Sequence, residues 1–239
     1  MPRGGIVQRL GLLLEGLVVV FVFGALVDLC ARLFGLGESI LVGRFLGFAA
    51  LATILVLLFA ALGLRARSEN FADLGLSRER FAPALALLLG LLAGLVVAAL
   101  GFGLELAFAN FGFAAPNLPF GVTGLWSFVG FSLGALLLGG LAEELIFRGY
   151  AFRRLEKGLG SQRSSKGKLD SGTLWAVLLL STLFGLSHAY QGWTGQVQTG
   201  LMSLAFFGVY FAVKRDLGVV IVAHATVDAI GFWFLWQAV

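Results

Sequence analysis

Long apolar runs without charged residues constrain the fold of this chain more than any other feature. The clearest run, from Phe45 to Leu64, is 20 residues long and contains no charged side chain. A transmembrane helix needs about 20 consecutive apolar residues to cross the hydrocarbon core of a bilayer. Hydrophobic residues make up 59% of the 239-residue chain, more than a soluble domain carries. The sequence therefore predicts a multi-pass integral membrane protein.

The continuity of these runs also predicts the fold class. Because lipid offers no hydrogen-bond partners to the backbone, only helices and closed barrels cross membranes. A barrel would alternate polar and apolar residues over segments of about ten residues, which these runs do not do. We predict an all-α helical bundle of about seven transmembrane helices, with eight as the upper count. The candidate helices lie near residues 8–34, 41–64, 82–105, 126–155, 173–193, 196–213 and 217–238.

The basic residues predict an orientation. Of the 17 Lys and Arg residues, 14 lie at or before the start of the first helix, between the second and third, at or beyond the end of the fourth, or between the sixth and seventh. Residues 106–125 and 190–195 contain no Lys or Arg, and Arg32 and Arg44 flank the first outer loop. By the positive-inside rule the N-terminus is cytoplasmic and the C-terminus lies outside. The net charge of +4 does not predict a nucleic-acid partner. The basic residues lie in loops between the predicted spans, and they do not form the single basic face that would bind phosphates. We expect a bacterial cytoplasmic (inner) membrane.

The organisation predicted along the chain is a single membrane domain over residues 1–239. Residues 1–64 would form accessory helices and residues 82–238 the core helices. Residues 156–172 are basic and rich in Gly and Ser, which predicts a flexible cytoplasmic loop. The single cysteine, Cys30, excludes an intrachain disulfide.

Two adjacent carboxylates, Glu143 and Glu144, interrupt the fourth apolar run. Each costs about 2.5–3.5 kcal/mol at a helix centre on insertion scales, so a reason for them is needed. Glu144 and Arg148 are four residues apart and share a helix face, which predicts an ion pair. Glu143 is rotated by about 100° and is free to face a cavity as a general base. The plainer alternative is a helix-end ion pair whose Arg148 snorkels to the interface.

The two histidines of the chain lie in later apolar segments. Phe184 and His188 are four residues apart in the fifth candidate helix, and His224 and Asp228 are four apart in the seventh. A lone histidine near the end of a span is more often a hydrogen-bonding residue than a catalyst. Ionisable residues near the bilayer midplane are functional by default, which favours a functional reading of His224 and Asp228.

Taken together, the motifs EExxxR, FxxxH and HxxxD resemble those of the CPBP family of intramembrane proteases. These proteins are bacterial relatives of the CAAX prenyl endopeptidase and are also called the abortive-infection family. The resemblance covers about half of the chain, residues 120–238, and the segment AEELIFRGYAFRRLE around Glu143 is a very close match. The sequence ADLGL at residues 72–76 also resembles the family's entry to its core.

The resemblance implies a role for each motif position. Glu143 would be the base that activates water, and His188 would hold or share that water. His224 and Asp228 would stabilise the oxyanion of the tetrahedral intermediate. Asp228 stands where many members have Asn, so it would have to be protonated, orient His224 or bind a metal. The residues that would shape the site are Glu144, Arg148 and Phe184.

Metal dependence is open at this stage. Glu143, His188 and His224 could be three zinc ligands with water as the fourth, and the family is commonly labelled metal-dependent. A metal-free mechanism in which Glu and His activate water fits these residue types as well, and we favour the version that requires no cofactor. The expected substrate is a membrane-associated, prenylated or otherwise lipid-proximal peptide.

Two other functions use the same residues. A non-catalytic member of the family would act as a scaffold, an immunity factor or a regulator in the membrane. A proton-coupled transporter would use the carboxylates and imidazoles as a relay.

A geometric condition follows from the predicted helices. If the fourth helix starts near Trp126 and the fifth near Thr173 on the opposite side, Glu143 and His188 lie towards opposite membrane faces. They can meet if the fourth helix is long and tilted and continues to about Leu155, because 30 residues span about 45 Å. They can also meet if the fifth helix starts later than Thr173.

Overall fold

The computed structural model describes residues 3–36, 41–76, 81–116, 118–161 and 170–238, and its elements in those ranges are all helices. The predicted all-α class is therefore confirmed. The long helices are α1 (Arg3–Leu33), α2 (Val42–Ala66), α3 (Pro83–Asn110), α4 (Leu125–Gly158), α5 (Ser171–Ser187), α6 (Gly192–Ala212) and α7 (Leu217–Gln237).

Five of these helices are individually long and apolar enough to cross a membrane, namely α1, α2, α3, α4 and α7. Helices α5 and α6 meet that criterion only as a pair bent by 57°, which is either one broken span or a re-entrant loop. Helix α5 has 17 residues, and the first half of α6 contains Gln196 and Gln198. The structure thus supports five or six crossings in a multi-pass membrane protein; the predicted count of seven and the cytoplasmic N-terminus are not confirmed.

The outer faces of the helices are covered by large apolar side chains. On α3, for example, Leu92 is 52% exposed and Val96 is 62% exposed. Such surfaces would be costly in water and are suited to contact with lipid chains.

Helix α4 is the long fourth helix that the sequence predicts, with 34 residues from Leu125 to Gly158. Its backbone is π-helical over Leu136–Glu143 and again over Leu145–Ala151. Turns of this type are widened and occur frequently at functional sites. The angle of 100° between successive side chains in an ideal α-helix therefore does not apply to the segment that carries the paired glutamates.

Glycines bring α3 and α7 into close contact. A Cβ atom added at Gly90 would lie 2.5 Å from Val222 Cβ, and one added at Gly94 would lie 2.5 Å from Thr226 Cβ. This spacing of small residues permits close helix packing. The contact positions α7, which carries His224, against α3.

Ion pairs join the predicted accessory helices to α4. The Glu15 carboxylate of α1 accepts hydrogen bonds from Tyr150 Oη at 2.8 Å and Arg154 Nε at 2.9 Å. Arg154 also donates two hydrogen bonds to Glu69, which follows α2, at 3.1 and 2.6 Å. The hydrogen bond from Arg154 lowers the pKa of the Glu69 carboxyl below its ordinary value, although burial acts in the opposite direction. Helices α1 and α2 are thus bound to the core by charge as well as by packing.

The two ends of the predicted flexible loop, residues 156–172, are helical. Glu156 lies near the end of α4 and accepts a hydrogen bond from Thr173 Oγ1 at 2.9 Å. It also accepts two from Arg215, both at 2.7 Å. Residues 162–169 of this loop lie outside the described residues.

Candidate active site

The residues that the three motifs predict come together where α4, α5 and α7 meet. Helix α4 provides the glutamates and the arginine, α7 provides one histidine and the aspartate, and α5 provides the phenylalanine and ends at the other histidine. Phe184 joins the three helices, since its ring centroid lies 5.0 Å from that of Phe147, 4.7 Å from His188 and 6.1 Å from His224.

The centre of the site is a buried ion pair. Arg148 Nη1 lies 3.2 Å from Glu144 Oε1, and both side chains are fully buried. Arg148 Nη2 also donates to Ser203 of α6, to Oγ at 2.7 Å and to the carbonyl oxygen at 3.2 Å. The predicted i,i+4 pair is therefore present, and Arg148 does not snorkel to the interface.

Aromatic rings enclose the guanidinium. The distances from Arg148 Cζ to the ring centroids are 4.9 Å for Phe184, 5.6 Å for Phe206 and 5.0 Å for Phe207. Rings at such distances attract a cation through their quadrupole, most strongly when water is excluded. They lower the cost of burying the charge and hold the plane of the guanidinium.

His224 links this buried pair to the more open part of the site. Its Nδ1 lies 2.6 Å from Glu144 Oε1. Because the carboxylate paired with Arg148 is an acceptor, Nδ1–H is the donor, which sets the tautomer of the ring. The other nitrogen, Nε2, lies 4.0 Å from Glu143 Oε2 and 3.9 Å from Asp228 Oδ2.

Burial divides the three carboxylates into two kinds. The Glu144 side chain is 0% exposed, whereas that of Glu143 is 16% and that of Asp228 is 29% exposed. Glu144, which holds His224 Nδ1, is therefore closed to solvent, whereas Glu143 and Asp228, which lie near His224 Nε2, are partly open to it.

Gly139 provides room for the aspartate, which the sequence analysis did not predict. A Cβ atom added at Gly139 would lie 2.7 Å from Asp228 Oδ2 and 3.5 Å from His224 Nε2. The sequence places Gly139 four residues before Glu143, which is the one clue to this role. With 34 glycines in the chain, that position does not distinguish Gly139 from the others.

His188 lies at the edge of this arrangement. It follows the last residue of α5, and its Nδ1 lies 2.8 Å from the carbonyl oxygen of Phe184. Since a carbonyl only accepts, Nδ1–H is the donor and Nε2 is the nitrogen able to accept. The His188 ring also lies 5.8 Å from that of Tyr190.

The sequence analysis left open whether Glu143, His188 and His224 are zinc ligands. Among the described residues, no group of three or more His, Cys, Asp or Glu side chains is arranged to hold a metal ion. His224 Nδ1 is engaged by Glu144, and the contacts of His188 are with its own helix end and with aromatic rings.

Helix α6 contributes to the site although no motif indicated it. Ser203 is completely buried and holds Arg148, and the Phe206 ring stacks on His224 with centroids 4.7 Å apart. The two residues are three apart, so they share one helix face. This three-residue spacing is the one sequence clue that Ser203 and Phe206 act at the same place. It does not identify them, because the same spacing occurs throughout any apolar helix.

Residues 125–230 match the family model described as Type II CAAX prenyl endopeptidase Rce1-like. This confirms the family resemblance that the motifs predict, over a segment that includes each of those motifs. No curated protein and no solved structure matches the chain. The family match supports a protease of the CAAX endopeptidase type in a multi-pass membrane protein.

Proposed function

Starting from the Rce1-like domain at residues 125–230, we propose that this protein is an intramembrane endopeptidase that uses Glu143 to activate water. The observation that carries the proposal is the position of His224. Its Nδ1 is held by the closed-off Glu144, and its Nε2 points between the two accessible carboxylates at 4.0 and 3.9 Å. The substrate is the peptide bond of a membrane-associated or prenylated peptide.

In the proposed reaction Glu143 accepts a proton from water as the oxygen attacks the scissile carbonyl carbon. His188 Nε2 accepts a hydrogen bond from the second proton of that water, which orients it. The imidazolium form of His224 donates from Nε2 to the oxyanion while Nδ1 donates to Glu144. The protonated Glu143 then gives its proton to the leaving nitrogen as the C–N bond breaks, so that all protons are accounted for.

The role of Asp228 can be tested by replacement with asparagine. An ionised carboxylate would repel the oxyanion, so we propose that the neutral acid at this position donates a hydrogen bond. Asp228→Asn keeps a donor and is expected to retain activity within about ten-fold, whereas Asp228→Ala is expected to lose about 10²–10³-fold in kcat. The measurement is the initial rate of reporter-peptide cleavage in proteoliposomes. Equal losses in the two variants would contradict the donor role.

A second prediction concerns the space above Gly139. In Gly139→Ala the added methyl group would have to displace the Asp228 carboxylate, because the two would otherwise be 2.7 Å apart. A shift of about 1 Å in a reacting group costs on the order of 10²-fold in rate, so kcat is expected to fall by about that factor. Gly103→Ala on α3 is the matched control, since nothing lies within 4 Å of its added Cβ. If both variants cleave at the wild-type rate, Gly139 does not position Asp228.

We propose that catalysis proceeds without a metal, and no step above depends on one. Activity is expected to persist after exhaustive chelation and dialysis, in protein whose zinc content is measured by elemental analysis. Stoichiometric zinc in active protein, together with loss of activity when it is removed, would refute this part of the proposal.

The natural substrate can be sought by comparative proteomics. Cells that carry Glu143→Gln in place of the wild-type protein are expected to accumulate uncleaved membrane-associated peptides. Peptides that accumulate equally in both strains are not substrates. If no peptide differs between the strains, the protein does not act as a protease in those cells.

A further inference from the structure

A polar cavity of about 410 Å³ lies apart from the candidate active site. It is enclosed by the turn that ends in Gly75, the last turns of α4 and the connection from α6 to α7. The residues that line it are Ala72, Asp73, Leu74, Gly75, Arg153, Glu156, Lys157, Ser161, Tyr210 and Arg215. Cavities of about 300–1,000 Å³ hold small ligands in proteins.

The cavity lies at the ends of two membrane spans. Arg153 is ten residues beyond Glu143 on α4, close to the end of that helix at Gly158. Helix α7 begins at Leu217, so the cavity lies at the ends of two helices that are long and apolar enough to cross a membrane. The ends of a helix that crosses the hydrocarbon core meet the polar headgroup region of the bilayer.

The acidic groups in the lining have partners within the protein. Glu156 accepts both hydrogen bonds from Arg215 and a third from Thr173. Asp73 Oδ2 accepts from the backbone N–H of Asn70 at 2.9 Å and so helps to cap the short 3₁₀ helix Phe71–Leu74. Burial acts to lower the pKa of Arg215, but the hydrogen bonds and charge of Glu156 raise it above its ordinary value.

Arg153 is half-buried and interacts electrostatically with the Glu69 carboxylate. Within the described part of the chain it makes no hydrogen bond or ion pair, so its guanidinium donors are open to a ligand. Lys157 lies 3.7 Å from Glu69 and its side chain is 49% exposed, so its ammonium can also turn to the cavity. The described lining therefore carries three basic and two acidic side chains, an excess of one positive charge.

The walls of the cavity are held in place before any ligand binds. Lys214 and Arg215 have left-handed backbone angles, with φ of 55° and 65°, which turn the chain sharply between α6 and α7. The N–H of Arg215 donates to the carbonyl of Tyr210 at 2.7 Å, and the N–H of Leu217 donates to the carbonyl of Gly75 at 3.1 Å. The first bond closes the turn between α6 and α7, and the second ties that connection to the turn that ends in Gly75.

We propose that this cavity binds the phosphate headgroup of an anionic membrane lipid, with Arg153 and Lys157 as its principal cationic contacts. Basic pockets between transmembrane helices are suited to acidic headgroups. A guanidinium such as that of Arg153 can donate two parallel hydrogen bonds to phosphate oxygens. The position at the ends of the spans favours a lipid over a free phosphate, because the acyl chains can remain beside the apolar outer faces of the helices.

The test uses the full-length protein in a neutral detergent. Short-chain phosphatidylglycerol is added, and the thermal unfolding temperature is measured as a function of its concentration, with native mass spectrometry to count bound lipids. We expect saturable stabilisation and one bound lipid. Arg153→Gln is expected to weaken the apparent affinity at least ten-fold, and Lys157→Gln to weaken it by a smaller factor. Arg65→Gln, an equal charge change at an exposed α2 position outside the cavity, is the matched control.

Three results would overturn the proposal. Inorganic phosphate that stabilises as well as the lipid at the same concentration would assign the cavity to a soluble anion. Equal stabilisation by phosphatidylcholine, or an equal loss in Arg65→Gln and Arg153→Gln, would show that the cavity selects no headgroup. Unfolding temperatures without lipid establish that each variant is folded, and Glu143→Gln is expected to bind the lipid normally, so this test is independent of the proteolytic function.

Discussion

Glu143→Gln is expected to reduce peptide cleavage by about 10²–10⁴-fold, which is the usual contribution of a general base. The amide has nearly the same shape as the carboxylate but cannot accept the proton of the attacking water. The Glu143 side chain is 16% exposed and lies 4.0 Å from His224 Nε2, and among the described residues it makes no hydrogen bond that the substitution would break. The initial rate of cleavage in proteoliposomes measures the effect, and the unfolding temperature is expected to stay close to that of the wild type.

Glu105→Gln on α3 is the matched control, because it makes the same chemical change in another apolar helix. Glu105 accepts a hydrogen bond from Gln198 at 3.1 Å, which the amide oxygen can also accept. We expect wild-type cleavage in this control. Unchanged cleavage in Glu143→Gln would refute the proposed mechanism. Proton-linked solute uptake that is lost in Glu143→Gln, without any proteolysis, would instead favour the transporter reading.

Arg148→Met is expected to have the largest effect on stability, lowering the free energy of unfolding by about 3–5 kcal/mol. The substitution leaves the Glu144 carboxylate fully buried with His224 as its remaining charged neighbour, and it removes the donor to Ser203. Removing one member of a buried ion pair is much more costly than removing both. The measurement is reversible unfolding in mixed micelles, with cleavage activity followed in parallel.

Arg32→Met provides a matched comparison. Arg32 also forms an i,i+4 pair, with Asp28 at 2.8 Å, but those side chains are 78% and 62% exposed. Exposed pairs contribute about 0–1 kcal/mol, so the control is expected to be nearly neutral. The double variant Glu144→Gln/Arg148→Met is expected to be more stable than Arg148→Met alone. A loss in Arg148→Met no larger than in Arg32→Met would show that the buried pair does not support the fold.

Local spacing explains which features of the site were predictable. Glu144 and Arg148 lie on the same helix, so their pairing follows from the number of residues between them. The seven long helices were predictable for a similar reason, because each corresponds to one continuous apolar run in the sequence. The number of membrane crossings was less predictable, because α5 and α6 meet at a bend that neither apolar run reveals.

Contacts between helices were not predictable in this way. The sequence analysis predicted that Glu143 and His188 share a water, but it did not predict that the His224 imidazole lies 4.0 Å from Glu143. Helices that are apolar on all faces carry little information about which face meets which neighbour. The widened turns of α4 add to this, since they rotate Glu143 away from the direction that an ideal α-helix would give.

From hydropathy and residue spacing alone, the sequence predicted a helical membrane protein with motifs of the CPBP family and a Glu144–Arg148 pair, because these features lie along one chain segment. The burial of that pair came from the structure. The tertiary structure alone decided that Glu144 orients His224, that Ser203 of α6 holds Arg148, and that Gly139 makes room for Asp228. Each of these contacts joins different helices, and their rotation and closeness are set by packing over the whole bundle.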